Sequence, residues 1–500
     1  MRATEESIPR AGDRRRPLLE ILSASTLERI VAEAQDVLAR VGVYVENPAA
    51  LALLADHGAR TDRGSRAFLS EELIHRCLAT APSSIRLFDR EGKPSLRLEG
   101  LNVHFNPGSA ALKVLDRDSG TARPALTPDL ASFARLTDTL PHLAAQSTGI
   151  VPADVPEAIA DRYRLLLALL NSTKPIVTGT FTVEGFAVMK DLLAAVAGDG
   201  ARLRERPLAI FDACSSQPLK WSHLTAQSLM DCARCGLPAE LISVPMLGAT
   251  SPVSLAGALV QHTAENLSGL VIHQLAQPGS PVIYGGSPAA MDMRYGTIAM
   301  GAMETMMLVA AYAQVGRHLG LPTHGYLGLS DAKVLDAQAG LESGMGALMA
   351  ALAGVNVVSG AGMLEFENCQ SLEKLVVDHE ACGMALRLVQ GIEGREELLA
   401  EELYGDLADG ELFLTSRRTL ARLREEVRLP GEVIDRRPRR LWEENGSRDT
   451  SRRARDEVDA LLASHRPPPL PDQVRRELIE IMTADARVHG MDRLPLPPSG

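Results

Sequence analysis

The order of apolar and polar positions divides the chain into three stretches. In the first hundred residues, Ser25 to Val41 carries apolar residues three and four apart, Ala49 to His57 continues the pattern, and Ser70 to Ala81 opens on Ser70 before Glu71 and Glu72. These are marks of amphipathic helices, the last with an N-terminal cap, and they predict a helical layer over residues 1–100. From Asn102 the rhythm changes to short apolar runs ending in or near Gly, Ser, Thr or Pro, each followed by a longer helical stretch. The runs are Val103 to Asn106, Ala145 to Val151, Pro175 to Phe181, Leu208 to Ser215, Leu241 to Leu247, Pro281 to Gly286, Pro322 to Gly328 and Asn356 to Met363. The helical stretches are Pro128 to Asp138, Ile159 to Leu170, Val183 to Ala197, Ser222 to Cys235, Ser254 to Gln277, Thr297 to Leu319, Val334 to Ala353 and Ser371 to Val389. Eight strand-then-helix units predict an α/β fold, a closed (β/α)8 TIM barrel over residues 101–392. An open doubly wound sheet shares the rhythm but usually carries a glycine-rich fingerprint after its first strand; here that turn reads Pro107-Gly108-Ser109. Beyond Ile392 the chain turns charged and then helical over Glu396 to Tyr404, Ser416 to Glu426, Arg453 to Ser464 and Gln473 to Arg487, a C-terminal helical extension over residues 393–500.

Composition narrows the function classes. A hydrophobic content of 45% with only 4% aromatics suits a globular core of small aliphatic residues, and the net charge of −11 argues against a nucleic-acid partner. The basic runs Arg14 to Arg16 and Arg436 to Arg440 read as solvated surface. No apolar run reaches the roughly 18 residues that span a bilayer, and Met1 to Arg16 lacks a signal-peptide core, so no membrane partner and a cytoplasmic location are expected. Six cysteines are too few for a disulfide scaffold, and the lone Cys232-x-x-Cys235 has no second ligand pair, so no metal site is expected.

Barrel chemistry gathers at the C-terminal strand ends. The polar residues there include Asn106, Thr178, Thr180, Asp212, Cys214, Ser215, Tyr284, Gly285, His324 and Tyr326, then Ser330, Asp331 and Lys333, and finally Glu365 and Glu367 with Asn368. Asp212 lies in the apolar strand Ala209 to Ala213, where a carboxylate needs a partner or a cationic ligand to stay charged; a structural bond to backbone amides or an arginine satisfies it equally. His324 is a site residue or a core histidine bonded to a carbonyl. Ser330 and Asp331 suit an N-cap opening the seventh helix, with Lys333 at the site beside it. Asp336, Gln338 and Glu342 continue on that helix with surface or interhelical roles. Tyr284, Tyr295, Tyr326 and Phe366 offer either π faces to an ammonium group or plain packing.

Several segments resemble the trimethylamine methyltransferase family: Gly248 to Val253 with Ala256 to Leu259 and Ala264-Glu265; Gln277 to Gly285; Asp292-Met293-Arg294; Gly301 with Glu304; Ser330 to Lys333 with Asp336, Gln338 to Gly340 and Glu342; and Gly360 to Glu365 with Ser371, Lys374 to Val376 and Glu380. The likeness runs from about Leu19 to Ile392. It implies a barrel that binds a methylated amine at its mouth while a separate corrinoid protein presents its cobalt there, with no cofactor held tightly by this chain and a homo-oligomeric assembly. The archaeal trimethylamine enzymes carry pyrrolysine in the site; this chain has only standard residues, so it resembles the branch associated with quaternary amines such as glycine betaine. From their places at the strand ends, Lys333, His324 and Glu365 are the catalytic candidates, with Asp212, Tyr284, Gly285, Tyr326, Asp331 and Phe366 as candidates for binding substrate. Two alternatives stay open: a corrinoid-dependent barrel methyltransferase of the zinc type, for which Cys214 alone is not a ligand set, and a non-catalytic quaternary-amine binder.

Overall fold

Strands buried on both faces read as short continuous apolar runs, and each of the eight runs is extended in the structure. The structure is a computed structural model that describes residues 16–393, 413–415 and 417–497. The strands are β1 (His104–Pro107), β2 (Gln146–Ser147), β3 (Ile176–Gly179), β4 (Ala209–Cys214), β5 (Ala239–Ser243), β6 (Val282–Gly286), β7 (His324–Tyr326) and β8 (Val357–Ala361). A parallel ladder joins β2 to β6 in order, and a second joins β7, β8 and β1. Single parallel bridges close the ring, Tyr284 with Thr323 and Phe105 with Leu143, supported by Tyr284 N donating to Pro322 O at 2.9 Å and Ala144 N to Phe105 O at 2.7 Å. The result is the expected eight-stranded parallel barrel.

The helices follow in the expected order: α1 (Thr127–Thr139), α2 (Ala160–Asn171), α3 (Gly185–Ala197), α4 (His223–Cys235), α5 (Leu255–Ala276), α6 (Met303–His318), α7 (Ala337–Ala353) and α8 (Leu372–Val389). Serine caps start three of them: Ser222, Ser254 and Ser371 accept the amides of Thr225, Gly257 and Lys374. The cap of α7 differs from the expectation. It is Asp336, accepting Ala339 N at 3.1 Å, and Ser330-Asp331 lies in a longer loop before it.

The first hundred residues are not helical throughout. Helices Ala24–Arg40, Pro48–Asp56 and Glu71–Leu78 are present, but Val43–Val45, Arg60–Thr61 and Arg66–Phe68 form a small sheet with Lys220–Trp221. A hairpin, Ile85–Phe88 against Pro94–Leu98, completes the segment. Its inward residues Ile85, Leu87, Leu96 and Leu98 cluster with Ala145, Val177, Ile210, Ile283 and Val357 and seal the N-terminal end of the barrel. At the opposite end, a hairpin over Ala290–Asp292 and Thr297–Ala299 and a sheet that pairs Cys369–Gln370 with Met363–Leu364 and Lys113–Leu115 border the mouth.

In the C-terminal extension, Thr450–Ser464 packs on α8 and α1, and Asp472–Val488 packs on α2 and α3. Buried Arg162 fastens the latter through Asp485 at 2.5 Å while holding Asp161 at 3.1 Å. The helix expected over Glu396 to Tyr404 lies outside the described residues. No described helix is long and apolar enough to cross a membrane. Replacing fully buried Leu87 with alanine opens a void in the seal and is expected to cost about 2–5 kcal/mol of stability, read as a lowered denaturant midpoint.

Candidate active site

Parallel pairing sets Asp212 on β4 level with Glu240 on β5, and level residues on neighbouring strands point to the same side of a sheet. Both project into the barrel, and Asp212 Oδ1 and both carboxyl oxygens of Glu240 are buried with no hydrogen-bond donor among the described residues, an arrangement that favours protonation of the pair. Burial pushes Glu240 up to about 8. Burial and the neighbouring Glu240 push Asp212 well above the usual carboxylate range.

The row continues across the barrel. His324 Nδ1 on β7 lies 3.0 Å from Glu240 Oε1, and its Nε2 lies 3.0 Å from Ser359 Oγ on β8. Ser359 Oγ donates to Asn106 Oδ1 on β1 at 2.9 Å. That bond uses the only hydroxyl proton, so His324 Nε2 must donate to Ser359. Burial lowers His324 to about 4, and its neutral ring then leaves Nδ1 as an acceptor facing Glu240. A protonated Glu240 fits that contact; a carboxylate would oppose two lone pairs. Gly285 on β6 makes room for this row, because a Cβ there would sit 2.9 Å from His324 Cβ and 3.1 Å from Nδ1.

Tyr326 packs edge-on to His324 with ring centroids 4.8 Å apart and donates to Ser109 Oγ at 3.1 Å. Burial, Asp212 and Glu367 hold its phenol protonated. Cys214, two residues beyond Asp212 on the same face of β4, is solvent-exposed at the strand's C-terminal end. Burial and the acids Asp212, Glu240 and Glu367 push its thiol up to about 12, keeping it from acting as a thiolate.

Glu367 enters from the loop after β8. Glu365, Phe366 and Glu367 have φ of 50°, 58° and 68°, three successive side chains in the left-handed region, each costing roughly 1–2 kcal/mol. The turn brings Glu367 into the charge field of Asp212 and Tyr326, where burial and Asp212 push it up to about 8 and its Oε1 is buried without a hydrogen-bond partner among the described residues. Strain of this kind gathers at functional sites.

Arg164 on α2 supplies the opposite charge. It is 2% exposed; Nε donates to Thr148 O at 2.6 Å, and Nη2 donates to Ser109 O, Thr148 O and Thr148 Oγ1. Nη1 takes part in none of these bonds. The guanidinium lies 4.9 Å over the Phe181 ring, is in the charge field of Asp161 and Asp212, and forms no ion pair with a described carboxylate.

The remaining expected site residues are dispersed. Tyr284 faces outward from the barrel, with its hydroxyl 2.9 Å from Thr263 Oγ1 and 3.3 Å from His262 Nδ1 among the helices, because neighbouring Gly285 takes the inward position. Glu365 points away from the row, its Oε2 3.4 Å from Lys113 Nζ, and Glu367 occupies the place expected for it. Asp331 accepts the backbone amides of Met300 and Gly301 at 3.1 and 2.9 Å, stapling two mouth loops, and burial pushes it up to about 6. Glu342 accepts from Ser330 Oγ and Asp331 N, fixing the same loop. Lys333 is exposed beside the mouth, its Nζ 4.1 Å above the Phe366 ring and 2.6 Å from Asp331 O. Thus Asp212, Gly285, His324 and Tyr326 come together, Lys333 and Phe366 lie in the mouth loops, and Tyr284, Glu365 and Asp331 do other work. Glu240, Glu367, Ser359 and Arg164 complete the group. The described residues contain no cluster of three or more His, Cys, Asp or Glu side chains placed to hold a metal ion.

The family model for trimethylamine methyltransferase matches residues 2–487. The chain is 31% identical over 482 residues to the trimethylamine methyltransferase MttB of Methanosarcina barkeri, covering 95% of this chain and 97% of the relative. It is 30% identical over 464 residues to a glycine betaine methyltransferase of Desulfitobacterium hafniense, covering 92% and 96%. The fold resembles that of the monomethylamine methyltransferase of Methanosarcina barkeri, with a TM-score of 0.52 at 10% identity over 88% of each chain. With the match running through both the barrel and the helices flanking it, the chain belongs to the trimethylamine methyltransferase family and is a methyltransferase.

Proposed function

We propose that this chain moves a methyl group from a betaine-like quaternary amine to a cobalt(I) corrinoid carried by a separate protein in the cytoplasm. The observation that carries this reading is the presence, at one barrel end, of a group of buried acids and of a buried guanidinium that is not ion-paired to a described carboxylate. Among the described residues, Asp212, Glu240 and Glu367 make no ion pair with Lys or Arg, and Arg164, though in the charge field of Asp161 and Asp212, makes none with a carboxylate. A zwitterion with an ammonium at one end and a carboxylate at the other complements both. The relatives named for trimethylamine and glycine betaine support the methylated-amine class.

The chemistry agrees with a quaternary donor. The breaking C–N bond leaves its electron pair on nitrogen, so the leaving group is a neutral tertiary amine and no proton is needed. The corrinoid would supply the nucleophile that takes the methyl carbon. The residues of this chain bind and orient: the acids hold the ammonium, Arg164 holds the carboxylate, Tyr326 and Phe366 offer π faces, and the sealed N-terminal end restricts access to the mouth. Exposed Leu112, Phe181, Val253, Met293, Tyr295 and Val334 lie on loops after the strands and offer an apolar rim on which a corrinoid protein can rest. Lys333 at that rim is assigned to the transfer step.

Ligand binding should depend on pH. Glu240 and Glu367, pushed up to about 8, are mostly neutral at pH 7, and a permanent cation favours their ionised forms. Betaine affinity is therefore expected to rise as pH passes through about 8, with proton release at pH 7, measured by calorimetry in buffers of different ionisation enthalpy. An affinity unchanged from about pH 6.5 to 9 contradicts the assignment of the acids.

Arg164→Gln is expected to weaken glycine betaine at least tenfold, about 1.4 kcal/mol, while changing choline, which lacks the carboxylate, by no more than about twofold. Equal losses for both ligands would remove Arg164 from the substrate.

Methyl transfer itself is tested by mixing the chain with reduced corrinoid protein and each amine while following the corrinoid's absorbance. Turnover with glycine betaine and none with trimethylamine is expected; the reverse overturns the branch, and no turnover with the competent partner supports the binder alternative. Lys333→Ala is expected to slow transfer at unchanged betaine affinity, and full activity in that variant returns Lys333 to the surface.

A further inference from the structure

Like charges held together in a cleft raise its energy unless a ligand of opposite charge offsets them. Away from the barrel mouth, Ala131, Ser132 and Arg135 on α1 and Leu167, Leu170 and Asn171 on α2 follow the three-and-four spacing of single helix faces. Those faces form one side of a cleft of about 410 Å³, a size within the roughly 300–1,000 Å³ of small-molecule sites. The other side is the proline-rich linker from Arg466 to Leu470, which joins helix Thr450–Ser464 to helix Asp472–Val488. None of the residues grouped at the barrel mouth lines it.

The linker is fastened on both sides of Arg466. Before it, His465 Nε2 lies 2.8 Å from Asp138 Oδ2 of α1. After it, Arg90 donates to Leu169 O of α2 at 2.7 Å and to Pro468 O of the linker. Three successive prolines fix φ along the same stretch, so the wall is in place before a ligand arrives. Within this frame Arg135 is part-buried and makes no hydrogen bond or ion pair among the described residues. Burial and then the charge of Arg466 lower its pKa, which places the two guanidiniums in one another's field. Arg466 spends Nη1 on Leu462 O and His465 O at 2.9 and 2.8 Å and forms no ion pair with a described carboxylate. Asp472 is the only acid among the described lining residues, and Arg475 also lines the cleft, so positive charge predominates there in a chain whose net charge is −11.

We propose that this cleft binds a small phosphomonoester with an apolar body, its phosphate held by Arg135 and Arg466 and its body lying on the leucine and proline walls. Two neighbouring guanidiniums without a carboxylate call for a group of about two negative charges, and a phosphomonoester carries roughly −1.5 to −2 near pH 7. Its three terminal oxygens accept from both guanidinium forks, whereas a single carboxylate leaves one arginine unmatched. The apolar walls select for the body, because inorganic phosphate would leave Leu167, Leu170 and Leu470 uncovered.

The test is calorimetric titration of the full chain at low salt and about pH 7.5 with phenyl phosphate, inorganic phosphate and phenol, in the absence of any amine or corrinoid. Phenyl phosphate is expected to bind one site with a Kd below about 1 mM, inorganic phosphate at least about tenfold more weakly, and phenol not measurably. Arg135→Gln, which removes no bond of the folded chain, is expected to weaken phenyl phosphate at least about tenfold with unchanged thermal unfolding, and Arg466→Gln to do the same. Excess glycine betaine is expected to leave the phenyl phosphate Kd unchanged. No saturable binding up to about 10 mM, equal affinity for phosphate and phenyl phosphate, or binding that survives both variants overturns the proposal. Displacement by betaine overturns it too, because it would put the phosphate at the barrel mouth.

Discussion

The structure turns on the burial of three carboxyls that make no ion pair with a Lys or Arg among the described residues. An isolated carboxylate in a low-dielectric interior is so costly that the group takes up a proton instead. Asp212 and Glu240 meet because the parallel register of β4 and β5 leaves them level, and the rest of the row follows from their protonation. His324 stays neutral, Ser359 and Asn106 fix its tautomer, and the Cys214 thiol and Tyr326 phenol keep their protons. Such a site sits at rest without a full negative charge, and under the proposed function it develops one when a quaternary ammonium binds. A site for an already charged substrate thereby avoids holding three bare anions together in the absence of ligand.

The scaffold makes that arrangement tolerable. The hairpin at the N-terminal end closes the barrel with apolar side chains, leaving polar groups to concentrate at the opposite end. Gly285 opens the space for His324, and the left-handed turn at Glu365 to Glu367 places a third acid that no strand can deliver. The strain of that turn is local, whereas the surrounding core of aliphatic helices and strands is extensive and offsets it. Arg164 reaches the same end from α2, its carbonyl bonds holding the guanidinium without neutralising it.

Most of the barrel was legible in the sequence because strands buried on both faces and helices buried on one leave different apolar rhythms. The hairpin at Ile85 to Leu98 alternates apolar and polar residues and was also readable, although a helical layer was expected there. At the site, Asp212 stood out as a carboxylate in an apolar strand. Glu240 gives the same signal in Ala239-Glu240-Leu241, but the expected strand began one residue too late to include it. Period-two alternation separates inward Gly285 from outward Tyr284 once one of them is placed. By contrast, the exchange of Glu365 for Glu367 depends on backbone dihedrals, and the role of Arg164 depends on where a helix packs; neither leaves a mark in residue spacing.

The central claim is that one end of this barrel complements a zwitterion. A crystal structure of the chain with glycine betaine tests it most directly. The account predicts the trimethylammonium group among Asp212, Glu240 and Glu367, with a methyl toward the open mouth and the carboxylate on Arg164. A betaine bound with its carboxylate against the acids, or bound away from Asp212 altogether, would contradict it.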